Sequence, residues 1–316
     1  MSASKHFTDL SVSRAVEHAS GQLDELLTIR DWLRFAVSQL HRHEARFGQG
    51  TDNAWDDAVF LVLGCLDLPV DQLEPYLDAR LLTSERKVVA QALYQRCEMH
   101  TPTSYILSEA WQQGFRFHVS TDVLIPRSPI AELLATGLYP WIEAPESLGR
   151  IADLCTGSGC LAILAAIHFP NAIVDATDLS DAALGIASKN VASYELANRV
   201  NLHQGDMLEA LPKDQKYDLI ICNPPYVNQT SMAQLPPEFL HEPTMALAGG
   251  EDGMTLIKRL IAGAAKTLKP EGHLLLEIGH ERPHFDLAFP HLTPLWIDTL
   301  ATEQSLMLLR ADQLSS

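Results

Sequence analysis

The chain is short of basic residues, with 23 Lys and Arg against 40 Asp and Glu and a net charge of −17. That deficit argues against the basic stripes with which proteins displace counterions from nucleic-acid phosphate. Only small basic groups stand out, such as Arg42/His43/Arg46 and Lys266/Lys269. An acidic field suits a basic protein partner better than free DNA. Cysteine is also sparse: Cys65, Cys97, Cys155, Cys160 and Cys222 include no Cys-x-x-Cys pair. They read as reduced thiols of a cytosolic protein rather than as disulfides or a zinc site. No run approaches the roughly 18–20 apolar residues of a membrane span. Met1–His6 is followed by no apolar stretch of the signal-peptide kind, so the expected location is the cytoplasm. A Walker loop, a Gly-x-Ser-x-Gly elbow and a His-Glu-x-x-His pair are all missing. His280 and His284 have helical spacing, but Pro283 between them predicts a surface loop and not a metal site.

What is present points to one large domain and a smaller one, since 316 residues with 47% apolar content exceed a minimal single domain. Residues 23–99 read as helices. Ile29, Leu33, Ala36/Val37 and Leu40 recur at helical spacing, and Gly48-Gln-Gly50 breaks that run. Asp52 or Asn53 can cap a helix over Ala54–Leu66, and Ser84–Met99 supplies another. From Thr101 the pattern changes. Tyr105–Leu107 and Phe115–Val119 flank Gly114 and predict a β-hairpin. A short helix follows at Ile130–Thr136. Strand-like runs then alternate with helical ones. The strands are expected at Arg150–Leu154, Ala172–Thr177, Val200–His203, Tyr217–Cys222 and His273–Ile278. The helices between them are expected at Cys160–His168, Asp181–Ala197 and Met254–Leu268. That alternation predicts a parallel, doubly wound α/β sheet. Thr293–Thr299 and Ser305–Arg310 are close enough to form an antiparallel pair at its edge. The boundaries are a helical region over 1–101, a hairpin connector over 102–121 and an α/β domain over 122–316.

Four constellations fall at the carboxyl ends of successive strands, where such sheets bind ligands. Asp153-Leu-Cys-Thr156-Gly157-Ser-Gly159 ends the first strand. Its glycines allow a sharp turn and close approach to a ligand. The pattern is not Gly-x-Gly-x-x-Gly, because Ala162 holds the third glycine's place and Asp153 would repel a pyrophosphate. An acid there suits a cationic group such as an amine. A tight strand–helix turn is the structural alternative. Asp178 ends the next strand, nineteen positions after Gly159 and near the ~20-residue offset of ribose-binding acids. Asp178 or Ser180 could instead cap the helix at Asp181. Asp206-Met207 ends the third, offering an acceptor for an exocyclic amine and a side chain to pack on a purine.

Asn223-Pro224-Pro225-Tyr226 follows the apolar run Asp218–Cys222. The Asn223 side-chain oxygen and the Pro224 carbonyl can each accept one hydrogen of a planar NH₂ group. Pro225 has no N–H to compete, and Tyr226 can lie against the planar group. Such positioning can supply about 7–11 kcal/mol of a barrier. A proline-rich exit turn is the bland alternative.

These motifs resemble those of the class I S-adenosylmethionine-dependent methyltransferases, in the branch that methylates planar nitrogens. The resemblance implies a seven-stranded Rossmann-like domain, with a smaller all-helical N-terminal domain for substrate recognition. It implies S-adenosylmethionine as cofactor, held by Asp153, Thr156, Gly157, Gly159, Asp178, Asp206, Met207 and Asn223. Asn223, Pro224 and Tyr226 would be catalytic, with Pro225 and Arg127 also touching the substrate. The segments Tyr105-Ile-Leu, Gly114-Phe-Arg-Phe117, Asp122-Val-Leu-Ile-Pro-Arg127, Glu242-Pro243, Gly249-Gly-Glu-Asp-Gly253 and Leu276-Glu-Ile-Gly279 are similar to those of protein glutamine methyltransferases. Ser128-Pro-Ile-Ala-Glu132 and Gly50-Thr-Asp-Asn-Ala-Trp55 resemble the branch acting on large-subunit ribosomal protein L-3. Release-factor glutamine methyltransferases, nucleic-acid amino-methyltransferases and a catalytically idle binding module are the alternatives. Cys155 stands where the family often has glycine.

Overall fold

The computed structural model describes residues 24–300 and 302–315. Residue 23 and the Met1–His6 segment lie outside them. No helix among the described residues is long and apolar enough to cross a membrane. The chain divides into two units: the described residues up to Glu109 with Pro236–His241, and Ala110–Leu235 with Glu242–Ser316.

The first unit is helical. Helix α1 (Ile29–Arg42) starts at a capping box in which the Thr28 hydroxyl accepts from the Asp31 N–H, and Asp31 accepts from the Thr28 N–H in return. Its buried stripe is Ile29, Trp32, Leu33, Ala36 and Leu40. In α2 (Ala54–Cys65) the cap is Asn53, accepting from Trp55 and Asp56. Helix α3 (Thr83–Cys97) carries Arg96, whose buried guanidinium donates to Asp57 at 2.7 Å and to Glu238 at 3.3 Å. Glu238 belongs to the segment that returns to this unit from late in the chain, which the spacing of apolar residues gives no hint of. Buried charges persist only when paired in this way.

The predicted strand at Tyr105–Leu107 is instead helical. Pro102 precedes α4 (Thr103–Leu107), and Ser108 ends it in the left-handed conformation, φ 56°. The hairpin strands are β1 (Glu109–Gln112) and β2 (Phe115–His118). Gln113 and Gly114 both have positive φ, which gives the two-residue loop whose twist matches a hairpin. Apolar residues at 105–107 satisfied either period, and the turn chemistry decided the register.

The second unit continues with α5 (Ile130–Ala135), β3 (Arg150–Leu154), α6 (Cys160–His168), β4 (Ile173–Asp178) and α7 (Asp181–Ser193). Next come β5 (Val200–Gln204), β6 (Tyr217–Cys222), α8 (Gln229–Met232), α9 (Thr244–Leu247) and α10 (Thr255–Thr267). The last elements are β7 (Leu268–Glu277), α11 (Arg282–Ala288), β8 (Leu295–Ile297) and β9 (Leu306–Arg310). The sheet order is β5-β4-β3-β6-β7-β9-β8, parallel from β5 to β7, with β9 antiparallel to both neighbours.

Strands β3, β6, β7 and β9 alternate between two cores. Ile151, Val174, Leu219, Ile221 and Leu275 enter one, and Ala152, Leu154, Ile220, Leu274 and Leu276 enter the other. Burial on both faces explains the unbroken apolar runs of these strands. Pro283 does not prevent a helix there: α11 begins at Arg282, so the proline sits in the first turn, where its missing N–H costs nothing. The winding direction reverses between β3 and β6, and that switch point opens a crevice at the carboxyl edge.

Candidate active site

A cavity of about 530 Å³ occupies this edge. Cys155, Gly157, Asp178, Asp206, Met207, Asn223 and Pro225 line it, all from the ends of β3, β4, β5 and β6. Val123, Leu124, Pro243, Met245 and Gly249 also line it. Asp153, Thr156, Gly159, Pro224, Tyr226 and Arg127 stand outside the lining.

Asp153 is fully buried at the end of β3. Its Oδ2 accepts from the Thr156 hydroxyl at 2.5 Å and from the Ala162 N–H at 3.0 Å, whereas Oδ1 is buried without a partner. Burial pushes this carboxyl up to about 7, despite the opposing bonds from Thr156 and Ala162. An orphan acceptor of this kind awaits a donor, and a cationic one would restore the charge. Cys155 adopts φ 59°, the left-handed conformation that makes glycine common at such a position. The two motif glycines serve different ends. Gly157 faces the cavity with open space where a Cβ would be, while a Cβ on Gly159 would lie 3.1 Å from that of Ala187. The second glycine therefore lets α7 pack close.

Of the two residues considered as the cap of α7, Ser180 takes that role. Ser180 caps α7 by accepting from the Ala183 N–H, while the Asp178 carboxylate accepts from the Gly157 and Ser180 N–H groups at 2.8 and 2.9 Å. Those bonds aim Asp178 at the cavity. Asp175, two residues earlier, is instead a structural hub, accepting from Arg150, Asn201 and Tyr217 and bonded to His203. Asp206 lies on the cavity wall, paired with Arg259 at 2.8 Å. Arg259 also lines the cavity, and no sequence motif pointed to it.

The Asn223–Tyr226 turn leaves β6 with Asn223 half-buried on the cavity wall. Tyr226 stands behind it. Its hydroxyl donates to Glu277 at 3.1 Å, and its ring and backbone pack against glycines. A Cβ on Gly279 (φ 54°) would be 2.4 Å from the ring, and one on Gly253 (φ 76°) would be 2.3 Å from the Tyr226 carbonyl oxygen. No other residue fits either place, which explains physically why the Gly249–Gly253 and Leu276–Gly279 segments accompany this turn. Arg127 is engaged elsewhere. Its guanidinium grips Glu242 in a two-bond fork at 2.5 and 2.8 Å, and Glu242 also accepts from the Ile125 N–H. The fork fastens the 122–127 segment to the 242–250 segment, and both contribute residues to the cavity lining.

Sequence reasoning gave no role to Glu277, Ser128 or Arg259. An acid ending the apolar run Leu274-Leu-Leu-Glu277 was the available signal for the first. His284 does find an acid, Glu281, at 2.5 Å, and Glu281 also accepts from Asn228. No group of three or more His, Cys, Asp or Glu among the described residues could hold a metal.

Sheet order, antiparallel edge pair and ligand edge define the fold of a class I methyltransferase. The family model described as Methyltransferase small domain matches residues 135–251. The ribosomal protein uL3 glutamine methyltransferase of Bordetella pertussis is 53% identical over 292 residues, covering 92% of this chain and 98% of that one. The Burkholderia pseudomallei enzyme of the same name is 49% identical over 293 residues, covering 91% and 95%. That of Bradyrhizobium diazoefficiens is 43% identical over 285 residues, covering 88% and 89%. The chain belongs to the ribosomal protein uL3 glutamine methyltransferase family. Membership of a methyltransferase family implies S-adenosylmethionine as the methyl donor. The partnerless Asp153 oxygen and the acids on the cavity wall fit such a group.

Proposed function

We propose that this protein methylates the side-chain amide nitrogen of a glutamine in ribosomal protein uL3, the large-subunit protein L-3. The observation that carries this reading is Asn223 on the same cavity wall as Asp178 and Asp206. S-adenosylmethionine, when bound, supplies an electrophilic methyl carbon. Asp153, whose Oδ1 has no partner, would accept from its amino group, with Thr156 holding the other oxygen. Gly157 would let the backbone approach, Asp178 would take ribose hydroxyls, and Asp206 with Met207 would take the adenine. Gly159 contributes through the packing of α7.

The Asn223 side-chain oxygen and the Pro224 carbonyl each accept one hydrogen of the glutamine amide. Both acceptors shift electron density toward the amide nitrogen and hold its lone pair in line. Pro225 keeps the turn free of a competing N–H, and Tyr226 supports the turn from behind. Arg127 acts through Glu242 by fastening the 122–127 segment to the 242–250 segment. A basic ribosomal protein suits the net charge of −17, and a ribosomal substrate implies work in the cytoplasm.

The test offers labelled S-adenosylmethionine with uL3, release factor, DNA and ribosomal RNA in parallel, and maps any label by mass spectrometry. Methylation of one uL3 glutamine is expected. Label only in release factor or nucleic acid would overturn the assignment.

A further inference from the structure

A buried carboxylate stands behind the acceptor turn, where the transfer reaction has no direct use for it. Glu277 ends β7 and is 5% exposed. Its Oε1 accepts from the Tyr226 hydroxyl at 3.1 Å, and its Oε2 from the Ser128 hydroxyl at 2.5 Å. None of the three lines the cavity. Burial pushes the Glu277 carboxyl up to about 7, while the two hydroxyls and the Arg127 charge pull it back. An apolar residue would fill this place at less cost, so the acid calls for a reason.

The turn itself suggests one. Pro224 and Pro225 have no N–H, so two consecutive residues cannot donate to a neighbouring segment. Beyond them the backbone is next tied down at Val227, which donates to the Leu247 carbonyl. The Tyr226 side chain supplies the missing anchor, wedged against Gly279 and tied to Glu277. We propose that Glu277 is a positioning residue that acts through Tyr226 to hold Asn223 and the Pro224 carbonyl in the geometry that grips the amide. Ser128 keeps Glu277 aimed by occupying its other oxygen. This rests on the proposed role of Asn223. A displacement of about 1 Å at a reacting group costs about a hundredfold, so a small slackening of the turn is a large kinetic effect.

The experiment compares wild type with E277A, E277Q, Y226F, the E277A/Y226F double variant and N223A on uL3. It measures kcat, KM, cofactor affinity and Tm for each. E277A and Y226F are each expected to lower kcat roughly ten- to hundredfold, with cofactor affinity held within about twofold. The double variant should lose no more than either single one, because both cut the same link. E277Q still accepts from Tyr226 and should recover to within about fivefold of wild type. Unchanged kcat in Y226F or E277A, or losses that add in the double variant, would overturn the proposal. If E277A does not fold, Y226F and E277Q decide alone. Full activity in N223A would sink the amide grip itself, whereas an inactive N223A beside a fully active Y226F would sink only the positioning role.

Discussion

The loop after β3 and the turn after β6 stand at the ends of neighbouring parallel strands, Leu154 beside Cys222, yet they are held by different means. The loop after β3 is tied to itself and to the adjacent β4 and α7, the Thr156 N–H donating to the Thr177 carbonyl, the Gly157 N–H to Asp178 and the Asn190 amide to the Ser158 carbonyl. Asp153 accepts from Thr156 and Ala162, three and nine residues on. The acceptor turn is held from a distance: Tyr226 reaches Glu277, 51 residues on, and Gly249, Gly253 and Gly279 make room for it. The two prolines explain the difference. A turn that gives up its own N–H groups has fewer backbone bonds to hold it and is braced by the rest of the chain.

The contrast is broken most sharply at Asn223. N223A should lower kcat by about 10²–10³-fold, the usual cost of one electrostatic contact to the reacting group, while cofactor affinity by calorimetry changes far less. On the cofactor side, D153N should weaken S-adenosylhomocysteine binding by at least about 30-fold and leave kcat at saturation far less affected. The same variant carries a proton signature. With its carboxyl held at about 7, Asp153 is mostly protonated at about pH 6, and a bound ammonium drives it to ionise. Calorimetry in two buffers at about pH 6 should show proton release on cofactor binding that is clearly smaller in D153N than in wild type. The sign for stability is the reverse of the usual carboxylate. The folded ligand-free protein binds the extra proton, so Asp153 costs stability as pH rises from about 4 to about 7. In denaturant unfolding, D153N should show a shallower decline over that window.

G279A should then lower activity about tenfold with an intact cofactor loop, since its Cβ would lie 2.4 Å from the Tyr226 ring. Loss of cofactor affinity equal to the loss of kcat would blur the two regions into one. The smallest effect is expected at Arg259. Its pair with Asp206 is nearly half exposed on the Arg259 side, so R259A should change cofactor affinity by less than about fivefold.

The same contrast decides what the sequence could disclose. Asp153-x-x-x-Gly157-x-Gly159, Asp178 and Asp206 are legible as strand-end positions, because the strand periodicity fixes those ends. Strands β3 and β6 and helix α6 match their expected bounds residue for residue, because buried parallel strands and a wholly apolar helix leave no competing period. Tyr105–Leu107 reads as a strand and folds as a helix, since three apolar residues fit either period. Glu277, Ser128 and Arg259 were silent because their partners lie 51, 149 and 53 residues away, and only the folded sheet brings them together. Arg127 is a different case: the family resemblance implied substrate contact, and what the structure shows is its fork on Glu242.

The most direct measurement is a single-turnover reaction of wild type and N223A with S-adenosylmethionine and uL3, each product located by tandem mass spectrometry. The account predicts one methyl on one glutamine side-chain nitrogen with wild type, and essentially none with N223A at full cofactor occupancy. A methyl on any other atom type, or an unimpaired N223A, would contradict it.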